Sequence, residues 1–303
     1  MSEGFVYAGG STTQKVKKLR KSDLVEVDES ADYGGYVRCI IEDDNFVYVC
    51  GQTTQTVKKL RKSDLVEVAE SVNYGGAIYA LTEDDDFIYA VGATINTVKK
   101  LRKSDLVEVA ESASYGDAIA AIGEDSGFVY VCGYTTDTVK KLQKSDLVEV
   151  KESINYLYNL IGLTTEDDSF VYVGGDYLRE VKKLQKSDLV EVAHCDFVGE
   201  VVNILVEDAD YVYAGGQDGG DETVYKIRKS DMVKVAESAS YGGTIYSLAE
   251  DTGFVYVAGF TVQKVKKLRK SDLVEVAESA DYGGNVRTLA EDDIVGGPIF
   301  FML

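Results

Sequence analysis

The 303-residue chain has no tryptophan, a single proline (Pro298), a single histidine (His194) and few basic residues for its size. One proline in this length argues against a Pro-rich disordered chain. No apolar run approaches the roughly 20 residues that a membrane helix needs, so membrane insertion is not expected. The 32 Lys and Arg are outnumbered by 52 Asp and Glu, leaving a net charge of −20. That field repels a phosphate backbone or an anionic bilayer, and nucleic acid drops out of the expected partners. The opening MSEGFVYAGG shows no basic segment followed by an apolar one. No signal peptide is expected, and synthesis in the cytoplasm is, with the final location left open.

What the chain has in abundance is repetition. The segment VKKLRKSDLVEVAES at 57–71 recurs with small changes from Val16, Val98, Val139, Val181, Val224 and Val265. Its Ser-Asp pair falls at Ser22, Ser63, Ser104, Ser145, Ser187, Ser230 and Ser271, with spacings of 41, 41, 41, 42, 43 and 41. A period of this size marks one supersecondary unit stacked on copies of itself. Residues 75–115 divide into AIYALT, FIYAVG, TVKKLR and LVEVAES, separated by EDDD, ATIN and KSD. Val, Ile, Tyr and Leu fill these pieces and Gly, Asp, Asn and Ser part them, so each piece is a strand. Asp of KSD suits a turn by accepting the amide two residues on, and Gly of YGG supplies positive φ.

Seven four-stranded units of this length resemble the seven-bladed β-propeller family. The resemblance covers about 290 residues. The segment FVYAGG at Phe5, followed by an outer strand, resembles Kelch-type blades and the Tyr-Val-rich blades of surface proteins. WD-repeat blades do not match, because their Gly-His and Trp-Asp signatures are missing. The expected fold is all-β: one propeller over 1–293, four antiparallel strands per blade, here named A to D from the channel outward. Because the chain starts at a B-type segment and ends at the A-type GGNVRTLAED (283–292), one blade must join the C-terminal A strand to the N-terminal B, C and D strands. The apolar tail 294–303 stands outside this plan, as a packed plug or a remnant. A monomer is expected.

The cysteines do not form a disulfide set. Cys50 and Cys132 hold the same repeat position two units apart, Cys39 lies in another strand and Cys195 in an irregular turn. Four structural thiols are expected.

Four features bear on function. First, each A strand ends in Glu-Asp, from Glu42-Asp43 through Glu83-Asp84, Glu124-Asp125, Glu166-Asp167, Glu207-Asp208 and Glu250-Asp251 to Glu291-Asp292. Such turns attract a hard cation, but seven equal clusters without EF-hand spacing suit solvated hairpins partly neutralised by the KKLRK belt, and no metal is expected. Second, Tyr33, Tyr74, Tyr115, Tyr156, Tyr241 and Tyr282 share one loop position, with Phe197 in the seventh copy. They either plug the joints between blades or offer a face for a sugar or protein. Third, one A-strand position varies freely, reading Arg38, Tyr79, Ala120, Gly162, Asn203, Tyr246 and Arg287. Ring closure makes Tyr246, Arg287, Arg38 and Tyr79 consecutive, a pair of guanidiniums flanked by phenols suited to a carboxylate or phosphate. A second departure from the repeat gathers Tyr158, Asp176, Tyr177, His194, Asp196, Asp218 and Asp221 as a candidate recognition patch on the neutral loop face.

Propeller hydrolases and lactonases, which the resemblance brings to mind, use carboxylate, Asn and His metal sets in the channel. Here one histidine sits beside Cys195 and Asp196, and sequence neighbours do not make a relay. No Cys/His zinc spacing or phosphate loop appears. The expectation is therefore a non-catalytic binding module or interaction scaffold without a cofactor, its partner a protein, a glycan or a small anion. The alternative is a structural repeat protein, surface or virion-associated, or a product of recent duplication or design. A metal-dependent hydrolase or lactonase is the remote alternative.

Overall fold

A computed structural model describes residues 3–196, 200–217 and 222–292. Phe197, Asp218, Asp221 and the tail 294–303 lie outside the described residues. The described residues form 28 strands, β1 to β28 in chain order, arranged as seven four-stranded antiparallel sheets. No helix occurs among them. The fold is a seven-bladed β-propeller.

Closure follows the sequence expectation. Strand β28 (Val286–Glu291) pairs with β1 (Phe5–Gly10), which pairs with β2 (Val16–Arg20) and then β3 (Glu26–Glu29). The seam register runs from Val6↔Glu291 to Gly10↔Val286. The Phe5 amide donates to Asp292 Oδ1 at 2.7 Å, and Lys21 forms an ion pair with Glu291. The seven A strands touch their neighbours in an unbroken circle, β28 meeting β4 (Val37–Glu42).

Each blade buries both faces against its neighbours. The tyrosine of every B strand is a fully buried anchor: Tyr7, Tyr48, Tyr89, Tyr130, Tyr172, Tyr213 and Tyr256. In six of the seven blades its phenol donates to an Asp of the same blade, as where Tyr48 donates to Asp43 Oδ2 at 2.7 Å. The other oxygen, Asp43 Oδ1, accepts the amides of Asn45 and Phe46. Both carboxylate oxygens are thus used within the A–B turn, which the sequence reading had left to solvent.

The loop tyrosines are joint plugs, the first of the two readings above. Tyr33 is 4 % exposed, its amide donates to Gln14 O of its own blade and its phenol to Thr56 O of the next, at 2.6 Å. Tyr74, Tyr115, Tyr241 and Tyr282 repeat the phenol contact.

A second inter-blade tie comes from the later lysine of six KK pairs and from Lys226 of VYKIR. Lys100 Nζ lies 3.9 Å from the Phe87 ring centroid and donates to Lys144 O of the following blade at 2.8 Å. Lys18, Lys59, Lys141, Lys183, Lys226 and Lys267 reach the same way, the last of them across the seam to Lys21 O.

The KSD turn holds a feature the sequence did not announce. Leu24, Leu65, Leu106, Leu147, Leu189, Met232 and Leu273 follow the Asp at φ between 51° and 58°. A non-Gly residue there is strained, but each side chain is buried, and burial worth about 1.5–3 kcal/mol outweighs the strain.

Candidate functional site

The head of each A strand carries a β-bulge, and the reason lies in the opposing glycine. A Cβ on Gly51 would sit 1.8 Å from Tyr36 O, so the chains approach closer than any side chain permits. The ladder then jumps from Val37↔Gly51 to Cys39↔Cys50 and skips Arg38. A residue left out of the ladder is unpaired and its side chain is re-aimed. The skipped residues are Arg38, Tyr79, Ala120, Ile161, Asn203, Tyr246 and Arg287. In the fourth blade, counting from the one that β4 opens, the skipped residue is Ile161 and not Gly162: Leu160 pairs with Gly175, and Gly162 with Gly174. The one-residue insertion lies later, at Glu166.

Four of these side chains come together as expected from closure. The Arg38 guanidinium lies 5.0 Å from the Tyr79 ring centroid, and that of Arg287 lies 4.9 Å from the Tyr246 ring. Arg38 and Tyr79 are buried, Arg287 and Tyr246 half-buried. Arg38 Nη2 donates to Gln52 Oε1 at 2.8 Å. Burial, and then the charge of Arg287, pull the pKa of Arg38 below the usual guanidinium value. The nearby charge of Arg287 thus disfavours that of Arg38, and an anion bound beside the two guanidiniums would relieve the repulsion. The far side of the ring is apolar, with Ala120, Ile161 and Val201 buried together and Tyr134 packed on them.

The opposite end of the same strands is acidic. Glu42, Glu83, Glu124, Glu207, Glu250 and Glu291 each pair with the lysine of the adjoining KSD turn, Lys62, Lys103, Lys144, Lys229, Lys270 and Lys21 in that order. Burial raises the pKa of Glu42 and of Glu83 to about 7 despite these lysines. The fourth blade departs from the plan. The slot filled elsewhere by Glu holds Thr165, whose carbonyl accepts Lys186 Nζ at 2.7 Å, while Glu166 is the inserted residue. Its amide donates to Glu207 Oε1, and its carboxyl lines a recess of about 1000 Å³ with Asp168, Asp208 and Glu250. Solvated hairpins are thus an incomplete description: the glutamates are largely buried ion-pair partners.

The neutral-face patch divides. Asp176 and Tyr177 join the fourth blade to the fifth, through an isolated bridge of Asp176 to Val201 and a Tyr177 amide bond to Glu200 O at 3.2 Å. Tyr158 is exposed beside Asn159, whose carbonyl accepts the Asp176 amide. His194 and Asp196 belong elsewhere, on the outermost strand β19 (Glu191–Asp196), so His194 is not in a loop and Cys195 is not in a turn. Cys195 is buried, and all four cysteines are free thiols.

No family model matches the chain, and no curated protein matches it. Its fold is widely shared, with 1185 solved chains matching. One of them is a computationally designed protein, Ika8, in a crystal structure. That chain superposes with a TM-score of 0.75 at 16 % identity, over 100 % of this chain and 94 % of its own. Likeness at that identity carries the architecture only.

Proposed function

We propose that this propeller is a non-catalytic binding module that takes a small anionic group at the Arg-bearing end of its channel. The observation that supports it most is the placement of Arg38 and Arg287, from adjacent blades, each stacked on a tyrosine of the blade beyond. Stacking fixes the guanidinium planes, and fixed planes favour bidentate contact with carboxylate or phosphate oxygens. The apolar arc of Ala120, Ile161 and Tyr134 suits the carbon body of such a ligand. The propeller fold itself is suited to a binding or structural scaffold. Kelch-like kinship rests on the blade motifs alone.

Titration with citrate and with inorganic phosphate, followed by calorimetry, tests the reading. Binding should weaken at least tenfold in Arg38→Met and in Arg287→Met, the loss of one charge-assisted contact worth about 1.5–3 kcal/mol. Equal affinity in wild type and both variants would remove the site.

A second reading is a purely structural ring. Its support is the close identity of the blades, which duplication or design would produce and which leaves few positions dedicated to a ligand.

A further inference from the structure

The fourth blade carries a side-chain trio that the other blades lack. Ligand-type atoms of Glu180, His194 and Asp196 all lie within 4.8 Å of one another. They arise from a local change in the outer hairpin. In the first blade, β6 (Val57–Arg61) and β7 (Glu67–Glu70) stop pairing at Lys58↔Glu70, and Ser71 Oγ takes the amide of Val57 at 2.9 Å. In the fourth, Cys195 stands where that serine would be, and thiol sulfur is a weak acceptor. The ladder of β18 (Glu180–Gln185) and β19 instead continues through Val181↔Cys195 to Glu180↔Asp196. The extension sets Glu180 opposite Asp196, with His194 two residues back on the same face.

The residue changes are coordinated. Thr56 Oγ1 donates to Glu70 Oε1 in the first blade, and Thr97–Glu111 and Thr138–Glu152 repeat that pair. The fourth blade has Glu180 for the threonine, His194 for the glutamate and Asp196 where Val72 stands. The neighbouring Lys–Glu pair is retained, as Lys182–Glu191 at 3.0 Å. Glu191 Oε1 also meets His194 Nδ1 at 3.0 Å, which orients the ring and leaves the other ring nitrogen for a ligand. Lys182 Nζ contacts one Glu180 oxygen at 2.7 Å, leaving the second oxygen of that carboxylate. Three carboxylates and one ammonium, −3 + 1, give the cluster a local charge of −2 with the imidazole neutral.

We propose that Glu180, His194 and Asp196 bind one divalent first-row transition-metal ion, of which Zn²⁺ is the natural probe. One imidazole and two carboxylates match the borderline donor preference of such an ion, and three protein ligands leave a position for water. Ca²⁺, which takes oxygen ligands only, is the discriminating competitor.

The chain's single histidine makes the test specific despite its many carboxylates. Zn²⁺ is titrated into the full chain while the His194 imidazole signals are followed by NMR. The expected result is a saturable shift at one equivalent, unaffected by excess Ca²⁺. Glu180→Thr and Asp196→Val place residues found in sister blades and so preserve folding; each should weaken Zn²⁺ binding about tenfold or more, and Glu191→Gln, a positioning change, about 10–100-fold. An imidazole signal unmoved at millimolar Zn²⁺, or moved equally in wild type and all three variants, would overturn the site.

Discussion

Replacing Lys100 by Met tests whether the lysine reach between blades holds the ring together. The methionine keeps most of the apolar stem and removes the ammonium. Lost with it is the bond to Lys144 O at 2.8 Å, a buried charge-assisted contact worth about 1.5–3 kcal/mol. The contact with the Phe87 face, at 3.9 Å, adds about 1 kcal/mol. Against these stands relief from burying a charge, since burial is the largest influence on Lys100 and lowers its pKa. The net expectation is a loss of about 2 kcal/mol, or a fall in Tm of roughly 3–6 °C for a chain of this size. Its neighbour Lys99 is the matched control. Lys99 pairs with Glu108 at 2.9 Å near the surface, and Lys99→Met should cost no more than about 1 kcal/mol. Thermal unfolding followed by circular dichroism reads both. Equal midpoints for Lys100→Met and Lys99→Met would refute the inter-blade role.

Stability should also depend on pH in a definite direction. Glu42 and Glu83 titrate near 7 in the fold against an ordinary 4.5, so their contribution is complete below about 4.5 and lost as pH rises through 7. Burial alone would raise Asp43, but the Asn45 amide and the Tyr48 phenol outweigh it and hold its pKa low, so that contribution is present above 3.8 and lost on further acidification. Tm measured by calorimetry should therefore be higher near pH 5.5 than near pH 8, and a flat or opposite trend counts against the buried glutamates. Removing residues 286–303 deletes β28 and bares the edge of β1. The shortened chain should self-associate in light scattering; a stable monomer with unchanged Tm would contradict the seam.

Much of the architecture was legible because the repeat and the turns are local. The Ser-Asp spacing gave the blade number, and the B-type start with an A-type finish gave the seam that β28 and β1 make. Closure also placed Arg38, Arg287, Tyr79 and Tyr246 side by side before any coordinates. The errors came where a property depends on a partner strand. Gly162 was aligned in place of Ile161 because a bulge is set by the glycine opposite, which the A strand does not reveal. Glu166 looked like its six counterparts because an insertion of one residue leaves the Glu-Asp word intact while shifting the carboxylate off the strand. His194 read as a loop residue because the ladder's extension follows from replacing one serine acceptor by a thiol. Lysines at the joints were read only as a charge belt, since their carbonyl partners lie about one full repeat away.

The lysine ties all point the same way round, from each blade to the next, and so give the molecule a sense of rotation. A blade therefore owns one socket and one plug on opposite sides, the relation that lets identical subunits form rings when the rotation closes and filaments when it does not. This chain is in effect a cyclic heptamer written as one polypeptide, its terminal strands meeting at the β28–β1 seam. A fragment of one blade would carry an unused plug at one end and an unused socket at the other, and would recruit copies of itself until seven units complete the turn.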